Sequence, residues 1–156
     1  MKLLIAVDFS PVGIAVAEHG YMMAQKGGMD AVFFHCAPRA TLMLVGYAGC
    51  GAYATLDDAG EQKKIEAAAA KRLDEIIGNV YAKHGKPELI KTEKFVAVGD
   101  PGEEILKYAK TNKFDMIIAG YKSYSTIDRI LVGSTATKLV RYAPCSVLIY
   151  RAPDAE

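Results

Sequence analysis

The sequence predicts an α/β domain: a doubly wound, five-stranded parallel sheet with helices on both faces. Three observations carry this. Short apolar runs alternate with amphipathic segments along the chain, in the order β-α-β-α-β-α-β-α-β. The runs are apolar throughout, as strands buried on both faces are. The length, 156 residues, suits one domain that buries roughly 68–70% of the surface its open chain exposes.

The elements follow in order. Lys2 to Asp8 is an apolar run ending in a carboxylate, a buried first strand. Ser10-Pro11 opens a helix, with Ser as cap and Pro in the first turn. Val12, Ala15, Val16, His19, Met22 and Met23 recur at helical spacing until Gly27-Gly28 stops them. Ala31 to Cys36 is the second strand. Residues 37–58 have no clear period and hold Gly46, Gly49 and Gly51; a long, mobile connection is expected there. A long helix is expected from Ala59 to about His84, with Ile65, Ala68, Ala69, Leu73, Ile76, Ile77 and Val80 on its inner stripe. Glu88 to Val98 reads as the third strand. Asp100-Pro101-Gly102-Glu103 is a capped helix start, with Ile105, Leu106 and Ala109 facing inward. Phe114 to Ala119 is the fourth strand, ending at Gly120. Tyr121 to Arg129 is a polar loop. Ser134 to Tyr142 is a short helix with Leu139 and Val140 inward, and Ser146 to Tyr150 the fifth strand.

Composition narrows the function classes. Lys plus Arg is 19 and Asp plus Glu is 18, a net charge of +1. Domains that bind nucleic acid through bulk charge are strongly basic, so no nucleic-acid partner is expected. The first apolar run is too short for a signal-peptide core, and no later one reaches the ~18 uncharged residues of a membrane span. Cys36, Cys50 and Cys145 are widely spaced, without a CxxC pair, and the histidines His19, His35 and His84 are scattered. Neither a zinc site nor a disulfide framework is indicated. A cytoplasmic location, with reduced thiols and no membrane partner, is expected.

The segment Gly120 to Ser134 is the most informative. A glycine at a strand end lets backbone approach a ligand closely. Three positions on is the small Ser123, and after nine intervening residues Gly133-Ser134-Thr135 opens a helix. The free N–H groups and dipole at such a helix start favour phosphate. Ligands of doubly wound sheets bind outside the carboxyl ends of the strands, where Asp8, Cys36, Gly99 and Gly120 are expected.

The chain resembles the universal stress protein family over nearly its whole length. The resemblance rests on Val7-Asp8-Phe9-Ser10, Val98-Gly99-Asp100-Pro101, the Gly120 to Ser134 loop and the closing Tyr142 to Ile149. The family's ATP-binding branch carries G-x2-G-x9-G-[ST]. This chain matches at Gly120, Gly133 and Ser134 and departs at Ser123. The resemblance implies the strand order 3-2-1-4-5 of the adenine nucleotide alpha hydrolase-like fold. It implies a stress-related regulatory protein that binds ATP, or AMP or ADP, with Mg²⁺ and little hydrolysis. Asp8 would contact the ribose or a metal, and Ala6 and Val7 would line the nucleoside pocket. The backbone of Cys36 would read the adenine edge. Ala119, Gly120, Ser123, Gly133, Ser134 and Thr135 would wrap ribose and phosphates. The family also implies a homodimer through the last strand, here Val147, Leu148, Ile149 and Tyr150. If position 123 needs a left-handed backbone, a serine there costs roughly 1–2 kcal/mol, about tenfold in affinity. If its angles are ordinary, the hydroxyl adds a phosphate contact.

Blander readings stand beside these. Asp8 is equally suited to hydrogen-bonding the next turn, Ser134 to capping its helix, Cys36 to filling the core and His35 to packing. Lys122 and Arg129 read as solvated loop charges. Gly49 to Ala54 echoes half a dinucleotide fingerprint without the strand and helix it requires. Two other function classes remain. One is an interaction protein of the same fold that uses the apolar Leu42 to Tyr53 stretch. The other is a slow ATPase, for which no positioned base or nucleophile is evident.

Overall fold

The structure, a computed structural model, describes residues 1–37, 39, 41–45, 51–55, 59–121 and 132–151; of 41–45, 51–55 and 59 it describes the backbone alone. Eleven elements follow in order. They are β1 (Lys2–Ala6), α1 (Pro11–Gly27), β2 (Asp30–Ala37), β3 (Thr41–Val45), β4 (Gly51–Thr55), α2 (Ala59–His84), β5 (Thr92–Val98), α3 (Pro101–Thr111), β6 (Met116–Gly120), α4 (Ser134–Tyr142) and β7 (Ser146–Tyr150).

Five strands form one parallel sheet in the order β5-β2-β1-β6-β7. Counted among themselves they run 3-2-1-4-5, as expected. Register brings Ala6 beside Phe34, Ala37 beside Val98 and Gly120 beside Tyr150. The strand period of two sorts the buried side chains onto two faces. Leu3, Ile5, Phe33 and Ile118 pack under α1 and α2 with Val16, Tyr21 and Leu73. Leu4, Phe34, Ile117 and Ala119 pack under α3 and α4 with Ile105 and Leu139.

The helix starts follow from their sequences. Ser10 accepts from the Gly13 N–H at 3.1 Å, and Asp100 accepts from the Glu103 N–H at 2.9 Å. Gly28 ends α1 in the left-handed region, at φ 60°. The buried face of α1, however, is Gly13, Val16, Ala17, Gly20, Tyr21 and Ala24, while His19 is exposed. It is turned by about one residue from the stripe of large apolar residues. Two glycines explain the turn. A Cβ on Gly20 would lie 2.9 Å from Ile5 Cγ1 and 3.0 Å from Ile118 Cγ2, so the helix backbone itself rests on the sheet.

Three further expectations are corrected. Residues 37–58 are not without regular structure: β3 and β4 pair antiparallel, Thr41 opposite Thr55 and Val45 opposite Gly51. Val140 is 63% exposed; Leu139, fully buried, carries the inner face of α4 alone at that turn. Ala68 is exposed on α2, whose buried side is Ala69, Leu73, Ile76 and Val80.

Candidate functional site

The sheet order reverses at β1, between β2 and β6, and helices leave its two faces there. Such a switch point leaves a crevice at the carboxyl ends of the strands. A cavity of about 170 Å³ lies there. Of the residues expected at the site, Ala6, Val7, Asp8, Cys36, Ala119, Gly120 and Thr135 line it together. Gly133 and Ser134 are not among its lining residues. Ser123, with Lys122 and Arg129, lies outside the described residues, as do Gly49 and Cys50. A second cavity of about 160 Å³ lies at the opposite end of the strands, where Lys91 and Glu93 pair with each other.

The turn after β1 is tightly held. Val7 N–H donates to the Phe34 carbonyl at 2.8 Å, continuing the sheet one residue beyond the strand. Asp8 Oδ1 accepts from both the backbone N–H and the hydroxyl of Ser10. This is the turn-bonding role, and it still leaves Asp8 on the cavity wall. Gly13 makes it sterically feasible: a Cβ there would sit 1.9 Å from the Asp8 carbonyl oxygen and 2.2 Å from its Oδ1. Gly120 is explained from below, because a Cβ would meet Val12 Cγ1 at 2.9 Å.

Behind the turn, His35 is 7% exposed, and its Nδ1 lies 2.8 Å from the Val7 carbonyl. Burial pushes its pKa down, outweighing the Val7 bond and nearby Asp8, so the ring is held neutral. Cys36, on the opposite face of β2, is half-buried, with Sγ 3.5 Å from the Gly99 carbonyl oxygen. Burial first, then the charges of Glu104 and Asp100, push its thiol up to about 11. It keeps its proton at neutral pH, which disfavours a nucleophilic role.

The α4 wall differs from the other helix starts. Its N-cap is Gly133, not Ser134, and no side chain caps it. Gly133 N–H donates to Tyr121 O at 2.9 Å, which ties this start to the end of β6. Among the described residues no side chain accepts from the first-turn N–H groups of α4, while Thr135 reaches the cavity wall. Lys138 bonds Asp100 at 2.9 Å and Glu103 at 3.3 Å, across Gly102, and joins α4 to α3. Among the described residues no group of three or more His, Cys, Asp or Glu could hold a metal ion.

This geometry can be set against known proteins. The sequence matches the universal stress protein family over residues 1–151. The chain belongs to the universal stress protein family. A family member from Methanocaldococcus jannaschii is 26% identical over 156 residues, 99% of this chain and 84% of the relative. The solved structure of universal stress protein UspA from Lactobacillus plantarum superposes with a TM-score of 0.73 at 28% identity, covering 97% of each chain. Two more distant solved structures share the fold. One, a universal stress protein in complex with cAMP, has a TM-score of 0.63 at 17% identity over 96% of this chain and 94% of its own. The other, an Arabidopsis thaliana family member with AMP bound, has a TM-score of 0.57 at 16% identity over 99% and 93%.

Sequence reasoning missed Gly13, Phe34, His35, Pro101 and Ile105 as lining residues. Gly13 carried a signal, a glycine in the first turn of a helix beside a strand-end carboxylate. The others read as core or helix start and gave none. On β7, Leu148 and Tyr150 pack toward α1 and α2, and Val147 and Ile149 toward α3 and α4. β7 is an edge strand of the sheet. No helix among the described residues is long and apolar enough to cross a membrane.

Proposed function

We propose that this protein binds an adenine nucleotide at the carboxyl ends of β1, β2 and β6, with the phosphates on the first turn of α4, and acts as a regulatory binding protein rather than an efficient enzyme. One observation carries the reading. The cavity that gathers Ala6, Val7, Asp8, Cys36, Ala119 and Gly120 is bounded by a helix start whose amides meet no side-chain cap among the described residues. Backbone donors at a helix N-terminus bind phosphate without a charge excess, which suits a net charge of +1. That fold relatives carry AMP and cAMP supports the adenine nucleotide. ATP is the proposed ligand because of the Gly120 and Gly133-Ser134 spacing.

Among the described residues Asp8 is the one carboxylate on the cavity wall. Its Oδ1 is engaged by Ser10, so a Mg²⁺ there would be held mainly by phosphate and water. Mg²⁺ would offset phosphate charge there. The titratable groups of the described wall are Asp8, His35 and Cys36. The first two are bonded within the turn and the third keeps its proton. This supports binding over turnover. We also infer that two copies pair through the edge strand β7, where Val147, Leu148, Ile149 and Tyr150 are each partly exposed.

Mass spectrometry of small molecules released from the purified, denatured protein tests the ligand. ATP, ADP or AMP near stoichiometric amount is the expected result. If no nucleotide is released and none binds up to several millimolar, the nucleotide reading fails. If binding then appears in Ser123→Gly, the non-nucleotide interaction protein takes its place.

A further inference from the structure

We propose that His35 is a positioning residue for the ligand site. With Phe9 and Arg72, it sets the Val7–Ser10 turn in the shape that presents Asp8 to the cavity. The proposal rests on the nucleotide reading for its consequence, but its geometry stands apart from any ligand. The Val7 carbonyl can only accept, so the His35 nitrogen 2.8 Å away must carry hydrogen. This selects the Nδ1–H tautomer. The same ring stacks on Phe9, with centroids 3.8 Å apart and planes 17° apart. The Arg72 guanidinium lies over the Phe9 ring, 4.6 Å from its centroid, and its Nη2 donates to the Phe9 carbonyl at 3.4 Å.

The residues before and after Asp8 are therefore both pinned by groups from other elements. Val7 is held by Phe34 and His35 of β2, and Phe9 by His35 of β2 and Arg72 of α2. Asp8 stands between two fixed points, with Gly13 of α1 against it. One nearly buried side chain makes both a hydrogen bond and a stack to the same turn, so its loss frees the turn at two places. The stack also makes the helix α2 a part of the site, although no α2 residue lines the cavity.

The test uses the full chain and two variants. His35→Leu removes the donor. His35→Asn keeps one, because its side-chain amide nitrogen takes the place of Nδ1. NMR spectra of the ligand-free proteins are expected to show shifted backbone amides over residues 7–13 in His35→Leu and smaller shifts, confined to the neighbourhood of Phe9, in His35→Asn, which keeps the donor and loses the stack. Calorimetry at a temperature where both are folded is expected to give at least tenfold weaker nucleotide binding for Leu and a change within threefold for Asn. Arg72→Met, which removes the exposed outer layer, is expected to weaken binding about threefold. The proposal is overturned if His35→Leu leaves the amides of 7–13 and the affinity unchanged, or if Asn falls as far as Leu in both measurements. Should the wild-type protein bind no nucleotide, the functional reading fails, and the ligand-free amide shifts still decide the positioning role.

Discussion

At the scale of single residues, the turn after β1 depends on what is absent. A methyl at Gly13 would lie within 2 Å of the Asp8 carbonyl oxygen, and backbone cannot yield as a flexible side chain would. Overpacking of this kind costs about 1–3 kcal/mol. The helix preference for Ala over Gly returns up to about 1 kcal/mol. Gly13→Ala is therefore expected to lower stability by about 1 kcal/mol in urea denaturation. Gly78 lies in α2 with nothing within 4 Å of a built Cβ, so Gly78→Ala should raise stability by about 0.5–1 kcal/mol. Equal effects at both sites would contradict the steric account. His35 gives a pH signature. Its folded pKa lies below the ordinary 6.5 because burial disfavours the charge. The unfolded chain therefore takes up a proton first as pH falls. The stability from neutral His35 is complete above pH 6.5 and declines below it, toward the lower folded pKa. Denaturation midpoints at pH 7.5 and 5.5 should show this loss in the wild type and less of it in His35→Asn.

At the scale of elements, the three helices that border the cavity start in different ways. Ser10 and Asp100 cap α1 and α3, and Ser10→Ala or Asp100→Ala should each cost about 1 kcal/mol. Ser134 lies inside α4 and is not its N-cap, so Ser134→Ala should stay within about 0.5 kcal/mol. Asp100 also has its pKa lowered, first by Lys138 and then by the Glu103 N–H. Its contribution is present above its ordinary 3.8 and fades as pH falls through the lower folded value. The Ser10-Pro11 and Asp100-Pro101 starts were legible because a cap and a proline are local chemistry. So was the span of α2, though Ala68 was placed on its inner stripe and is exposed. The inner face of α1 was not, because large side chains were counted while Gly13 and Gly20 make the contact. The β3–β4 pair was hidden for a related reason. Leu42 to Val45 is apolar without alternation, and Gly51 to Thr55 holds small residues, so neither shows a strand period. Two five-residue runs separated by five residues that include Gly46 and Gly49 were the available signal.

At the scale of the whole molecule, the parallel sheet order places the carboxyl ends of β1, β2 and β6 together. Residues 6–8, 36 and 119–120 thereby share one wall. That much of the site followed from strand ends and the family resemblance. His35 and Arg72 did not, because their roles depend on contacts between β2, α2 and the β1 turn that no local pattern encodes. The edge strand β7 bears on assembly: a lysine in place of partly exposed Ile149 would put charge into the inferred contact between copies. Sedimentation should show a dimer for the wild type and a monomer for Ile149→Lys; a wild-type monomer would contradict that pairing. The central claim is that an adenine nucleotide is held by its phosphates on the start of α4, where the N-cap Gly133 supplies no side chain. Ser134→Pro tests it most directly. Proline suits the first helical position, and the extended backbone of Gly133, at φ −58° and ψ 151°, accepts a following proline. The substitution removes one N–H and one hydroxyl while keeping the helix. A hydrogen bond to a charged group is worth about 1.5–3 kcal/mol. Calorimetric titration should therefore show ATP and AMP affinity reduced by about tenfold or more, with adenosine affinity and the melting temperature unchanged. Unaltered ATP and AMP affinity in Ser134→Pro would contradict the account.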